Sequence, residues 1–148
     1  GTLSSVASAI LSANIQGSET NSGHTYAITS SPMNYAAAQA AAAALGGYLT
    51  TITTKAENDW LTEKFEVIYG DIWIGATDTV SEGTWVWDNG TGDNFTSSSV
   101  WPSDNTTRKF CDNEPNNSGD CAQIFESSGC WDDKICSSVK LGIIEFNQ

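Results

Sequence analysis

Basic residues are scarce in this chain. Of its 148 residues six are Lys or Arg against 18 Asp or Glu, a formal net charge of −12. Nucleic acids and anionic membrane surfaces are gripped by basic patches, so neither is an expected partner. Metal cations, neutral ligands and basic proteins remain, as does a plain solubility role for the acidic surplus. Histidine is nearly missing too: His24 stands alone, and no Ser/His/Asp or Cys/His set is available for nucleophilic catalysis. No apolar run reaches the ~18 residues of a membrane span; Ala36 to Leu45 comes nearest, and it is short and mostly alanine. A basic stretch leading into an apolar core, the mark of a secretory leader, is absent. A secreted protein would have lost its leader or carry it outside this sequence. There is no internal repeat.

Length and composition suit one ordinary domain. The 39% hydrophobic content, with six Trp, can furnish a core. All four cysteines fall between Cys111 and Cys136, separated by nine, eight and five residues. That spacing contains no C-x-x-C zinc knuckle. An even count in one segment favours disulfides and an oxidising compartment.

Residues 1–22 are rich in Ser, Ala, Thr and Asn and read as an arm or linker, although Leu3, Val6, Ile10 and Leu11 have rough helical spacing. The domain is expected over 23–148. "HTYAITS" alternates like a strand. Asn34 can cap a helix over about 35–45 that Gly46 and Gly47 terminate. Thr54 and Glu57 form a T-x-x-E capping box for a second helix, with Trp60, Leu61, Phe65 and Ile68 on one face. "YLTTIT" between the helices reads as a strand. After residue 71 the helical period vanishes. "DIWIGATD", "GTWVW", "CAQIFE" and "LGIIEF" read as strands, around a long region (88–120) rich in Asn, Asp, Ser, Thr and Gly. Loops of that length are usually functional or mobile. The order predicts an α+β fold.

Glu114, Asn116, Asp120, Asp132 and Asp133 crowd hard oxygen donors into one stretch. Such donors in number select calcium, which takes 6–8 oxygens, over transition metals. Glu114 and Asn116 can face one ion if the chain turns sharply at Pro115, most tightly through a cis peptide. Asp132 and Asp133 are neighbours and on a strand would face opposite ways. Both reach one ion only if Asp133 also uses its backbone or the strand is irregular. The alternative is a surface turn and a solvated edge. Asp93, Asp104 and Asp112 read as turn residues rather than a second calcium site. Trp73, Trp85 and Trp87 read as core, and Trp131 as packing beneath the site. Trp101 is the best candidate for an exposed ring that stacks on a sugar. Sequons at Asn89, Asn94, Asn105 and Asn116 place one possible glycan on a proposed ligand. Glu114 with Asp132 or Asp133 could make a glycosidase pair, but carboxylates that share a cation are ionised and poor acids.

In order along the chain, "ALGGYLTTI", "ENDWL", "WIGATDTVSEGTWVWDNG", "EPNN…DC", "CWDDKIC" and "GIIEF" resemble the C-type lectin-like domains. The resemblance runs from about His24 to Phe146. It implies the double-loop α+β fold: two helices, mostly antiparallel sheets, and a long calcium-binding loop, with β pairing that brings the two ends of the domain together. It implies a Cys121–Cys136 disulfide, which leaves Cys111 to pair with Cys130. It implies one Ca2+ held by Glu114, Asn116, Asp132 and Asp133, with Pro115 in cis. The sugar would meet Glu114, Asn116 and Asp132, and E-P-N goes with mannose, fucose or glucose in that family. Three departures stand out. Ala42 and Ile144 occupy the places of a family disulfide. Gly119 stands where the family has a glutamate, which passes that role to Asp120 for both ion and sugar. Asp132 replaces an asparagine, which adds charge for the ion and removes a donor to the sugar. The expected protein is a secreted or surface-displayed lectin, an adhesive module in an oligomer or larger chain. The alternative on the same fold binds protein or ice.

Overall fold

The computed structural model describes residues 15–147 apart from 22, 91 and 103, with the side chains of 15–20, 104–106 and 147 also left aside. The Leu3-to-Leu11 stretch of the expected arm therefore lies outside the described residues. Its last part does not: Ile15–Asn21 forms strand β1, paired antiparallel with β2 (His24–Thr29). The backbone of 15–21 is thus part of the sheet.

Helix α1 spans Tyr35–Ala44, and the Asn34 side chain accepts from the Ala37 N–H at its start. β3 (Tyr48–Leu49) is shorter than the expected strand: Thr50 N still bonds Ile143 O at 3.0 Å, but Thr51 N turns to the Glu145 side chain. α2 (Lys55–Leu61) is capped by Thr54, whose hydroxyl accepts from Glu57 N, while Glu57 reaches back to Thr53 N. The helix then widens into a π turn over Thr62–Glu66 and ends with Val67–Tyr69. The π turn inserts one residue into the helical phase. Leu61 and Phe65 stay buried, but Ile68, expected on their face, is 66% exposed.

The remaining strands are β4 (Ile72–Ser81), β5 (Thr84–Trp87), β6 (Val100–Trp101), β7 (Asp104–Arg108), β8 (Cys121–Phe125), β9 (Cys130–Lys134) and β10 (Leu141–Asn147). The main sheet runs β1-β2-β10-β4-β8-β9, with β3 on β10 and β5 on β4; β6 and β7 pair separately. Only the β10–β4 pairing is parallel among these ladders. β2 against β10 joins the two ends of the domain. This is the expected α+β double-loop architecture.

Gly75 explains the W-I-G motif. A Cβ there would lie 2.3 Å from the Leu49 carbonyl oxygen, so only glycine lets β4 pass beneath the 49–50 backbone, where its N–H bonds Thr50 O at 2.9 Å. Around this crossing Trp73, Trp85, Trp87 and Trp131 are buried. A fully buried large apolar side chain contributes roughly 1.5–3 kcal/mol relative to exposure. Ala42 and Ile144, without a disulfide between them, are both buried and pack with Ala27 and Phe146.

Candidate functional site

The long loop reaches the sheet through β9. Cys111 N donates to Trp131 O and Trp131 N to Lys109 O, both at 2.9 Å, so 109–111 runs beside β9. Three residues on, Glu114 arrives next to Asp132 and Asp133. The Glu114–Pro115 peptide is cis, and Asn113 and Asn117 take positive φ on either side. Arg108, which the sequence did not single out, ties the loop inward. Its guanidinium donates to Ser97 O at 2.6 Å and to Glu114 O at 2.7 Å.

One carboxyl oxygen from each of Glu114, Asp132 and Asp133 lies within 4.8 Å of the others. Asp132 and Asp133 are 5% and 0% exposed. β9 keeps an unbroken register with β8, and Glu114 brings its carboxyl within reach of both neighbours. Asp133 organises the loop: Oδ1 accepts from Asn116 N at 3.0 Å and Oδ2 from Gly119 N at 3.3 Å. Its backbone oxygen accepts from the Ser118 hydroxyl at 3.0 Å. Asp132 Oδ2 accepts from Gln123 Nε2 at 2.8 Å, its register partner on β8. Glu114 Oε1 and Asp132 Oδ1 are buried with no hydrogen-bond partner. Burial, and then the neighbouring Asp132 and Asp133 carboxylates, push the Glu114 carboxyl up to about 7. Buried acceptors facing each other without a donor are costly. A hard divalent cation among them would relieve both the repulsion and the missing bonds, so the residues present fit calcium.

Asn116 is exposed, and its side-chain oxygen accepts from Ser118 N at 3.0 Å. Asp120 belongs elsewhere. Its backbone oxygen accepts from Asp78 N at 3.1 Å, and its carboxyl groups with Asp78 and Glu82 at the β4–β5 hairpin. The reason is Gly119, whose Cα packs against the 134–135 backbone so closely that a Cβ would lie 2.0 Å from the Lys134 carbonyl carbon. That contact turns the next residue toward β4. Asp78 is 3% exposed, and its Oδ1 is buried and unpartnered while Oδ2 accepts from Gly83 N. Burial first, then Glu82, raise the Asp78 carboxyl, while burial first, then Asp78, raise Asp120. This second group has the donor chemistry for another hard cation. Asp93 and Asp112 join neither group among the described residues; the Asp104 side chain lies outside them.

Trp101 corrects the sequence reading. It is 2% exposed and meets Trp131 edge-on at 5.3 Å, with Lys109 Nζ 5.0 Å from its ring centroid. The polar loop folds over its own aromatic residue, so this ring offers no face to a sugar. Besides Arg108, two further positioning residues went unread. Asn58, on the apolar stripe of α2, accepts from Trp131 Nε1 at 2.9 Å and donates to Gly129 O at 2.8 Å. Gln123 holds Asp132. A polar residue at an apolar-stripe position was the available signal for Asn58.

Cys121 is bonded to Cys136 and Cys111 to Cys130. The second bridge joins the Glu114 loop to the start of β9. Replacing both Cys111 and Cys130 by Ala should cost about 2–4 kcal/mol in denaturant unfolding, with calcium affinity falling alongside. A stability change below ~0.5 kcal/mol would show that the bridge restrains nothing the fold lacks.

The model for the lectin C-type domain family matches residues 31–144. A lectin named BRA-3 from Megabalanus rosa is 33% identical over 124 residues, which is 80% of this chain and 68% of that protein. The chain spans 61% and 51% of two other curated relatives. Among solved structures, a carbohydrate-recognition domain of cow CD23, determined in the presence of GlcNAc2Man3 oligosaccharide, aligns with TM-score 0.72 at 21% identity, covering 90% of this chain and 95% of that one. A calcium-independent type II antifreeze protein aligns with TM-score 0.74 at 23% identity, over 88% and 92%.

Proposed function

The chain belongs to the C-type lectin domain family, and from that premise we propose that it is a calcium-dependent carbohydrate-binding module for the vicinal 3- and 4-hydroxyls of mannose, fucose or glucose. The observation that carries this reading is the Glu114–Asp132–Asp133 group with two buried oxygens that lack any donor. Those three side chains, with Asn116 turned inward, would hold the ion. The ion would supply a positive centre for sugar hydroxyl oxygens. Around it Glu114 accepts hydroxyl protons and Asn116 donates through its amide. Asp132, an acceptor where the family has an amide, requires the hydroxyl beside it to donate. Asp78, Glu82 and Asp120 would hold a second cation that braces the loop. Trp101 has no part in it.

A shallow site of this kind binds one sugar at about millimolar strength, so useful avidity needs several copies. Residues ahead of 15 would serve as the arm to an oligomer or a larger chain. The two disulfides suit an extracellular place of work, and the module carries out no catalysis.

Acid sets the first test. The Glu114 carboxyl is raised from 4.5 to about 7 in the metal-free fold. Between those values the fold holds a proton that the unfolded chain has released. Metal-free stability therefore falls as pH rises through that window. Calcium must displace the same proton, so its affinity falls as pH drops below about 7. Calorimetric titration should show the affinity weakening on acidification, and thermal unfolding in chelator should move the opposite way. A sugar panel read with and without chelator completes the test. Calcium affinity independent of pH, or no chelator-sensitive binding to any of the three sugars, rejects the reading. The likeness to antifreeze proteins supports a second reading, binding of ice or protein on the same fold. It is chosen if a partner or ice is bound and free monosaccharides never compete.

A further inference from the structure

A cleft of about 420 Å³ opens between the end of the β1–β2 hairpin and the start of α2. It shares no residue with either acidic group. One wall is aromatic. The Tyr26 and Trp60 rings lie 5.3 Å apart, tilted by 56°, and His24 stacks on Tyr26 at 6.4 Å. Apart from Ala56 the rest of the lining is polar, and several of its donors are already engaged. Tyr26 OH donates to Glu57 Oε2 at 2.6 Å and Thr53 N to Glu57 Oε1 at 3.1 Å. His24 Nδ1 lies 2.5 Å from Glu145 Oε2, which also accepts from Tyr48 OH at 2.9 Å. Beside the Asn21 amide and the Thr53 and Thr54 hydroxyls, which can donate or accept, the cleft offers a guest the remaining lone pairs of the Glu57 carboxylate. Among the described residues no Lys or Arg lines the cleft. Glu57 lines the cleft and the buried Glu145 pairs with His24, so two carboxylates stand against one imidazole and the net charge is negative whether or not the ring is protonated. Burial raises the Glu57 carboxyl, and repulsion from Glu145 adds to it; the charge is poorly solvated.

We propose that this cleft binds an organic ammonium group, with the cation against the half-buried Trp60 ring and its charge answered by Glu57. The volume suits a hexosamine or a choline-sized body. A neutral sugar could use the same ring wall. It would leave the carboxylate charge uncompensated. The ligand class follows from that imbalance, and it requires no calcium.

The test is amide NMR titration of the intact chain in chelator with glucosamine and with tetramethylammonium, against N-acetylglucosamine. The expected result is saturable shifts confined to residues 24–26 and 53–60 with both cations and none with the N-acetyl sugar. Glu57→Gln keeps an acceptor at the capping-box position and removes the charge, so it should fold normally and weaken binding about fivefold. Trp60→Ala, with its fold checked by circular dichroism, should weaken it at least as much. Equal shifts with N-acetylglucosamine, no shifts up to about 50 mM cation, or full affinity in Glu57→Gln would overturn the proposal. Because the titration runs in chelator, its failure leaves the calcium reading untouched, and loss of calcium binding leaves this result untouched.

Discussion

Asp133→Asn is expected to reduce calcium affinity by roughly 100-fold or more and to abolish chelator-sensitive sugar binding. Asp133 is fully buried and ties both halves of the loop, through Asn116 N and Gly119 N. An asparagine can still accept from Asn116 N, but its amide then faces the Gly119 N–H, donor against donor. The lost charge-assisted bond is worth about 1.5–3 kcal/mol. Two terms oppose each other in the metal-free protein, because the change also removes one of three crowded negative charges. The stability loss should therefore be smaller in chelator than in excess calcium, where there is no repulsion left to relieve. Denaturant unfolding in both conditions reads the difference directly. Asp112→Asn, an exposed acid in the same loop, is the control and should stay within about 0.5 kcal/mol. Calcium affinity within twofold of the parent in Asp133→Asn would remove this residue from the site, and with it the link between loop and ion.

The α+β architecture was legible because its signals are local. Asn34 and Thr54 cap the helices that their side chains announce, and the alternation in "GTWVW" and "HTYAIT" matches strands that bury one face or both. Three kinds of information were not local. The phase of α2 after Leu61 depends on a π turn, where the Thr62 hydroxyl bonds back to Asn58 O at 2.8 Å. No count of apolar spacings contains that event. The fate of Trp101 depends on Trp131 and Lys109 meeting it across the loop. In sequence it is one aromatic among polar residues, the pattern of an exposed ring. The destination of Asp120 depends on how close its neighbour Gly119 comes to β9. Glu114, Asp132 and Asp133 were singled out correctly as a crowd of oxygens. Gln123 and Arg108, which bond Asp132 and the Glu114 backbone, and Asn58, which holds Trp131 beside them, carry no donor pattern of their own.

Gly119 decides how the acids divide into two groups, and Gly119→Ala should show it. The added methyl would sit 2.0 Å from the Lys134 carbonyl carbon and 2.2 Å from Ile135 N, both backbone atoms that cannot swing aside. Either β9 bends outward or the 116–120 turn lifts off it. Overpacking of this kind costs about 1–3 kcal/mol. A lifted turn also withdraws the Gly119 N–H from Asp133 Oδ2 and the Ser118 hydroxyl from Asp133 O. Calcium affinity should then fall about tenfold, as when a group that orients a ligand is lost, although no proposed ligand has been touched. A glutamate at this position, as the family pattern has it, meets the same backbone and should be worse than alanine. The chain can thus supply its extra carboxylate only from Asp120, one residue on and facing the Asp78–Glu82 hairpin. If Gly119→Ala folds with unchanged stability and unchanged calcium affinity, the turn is loose enough to choose its own path, and Asp120 is free to join Glu114 after all.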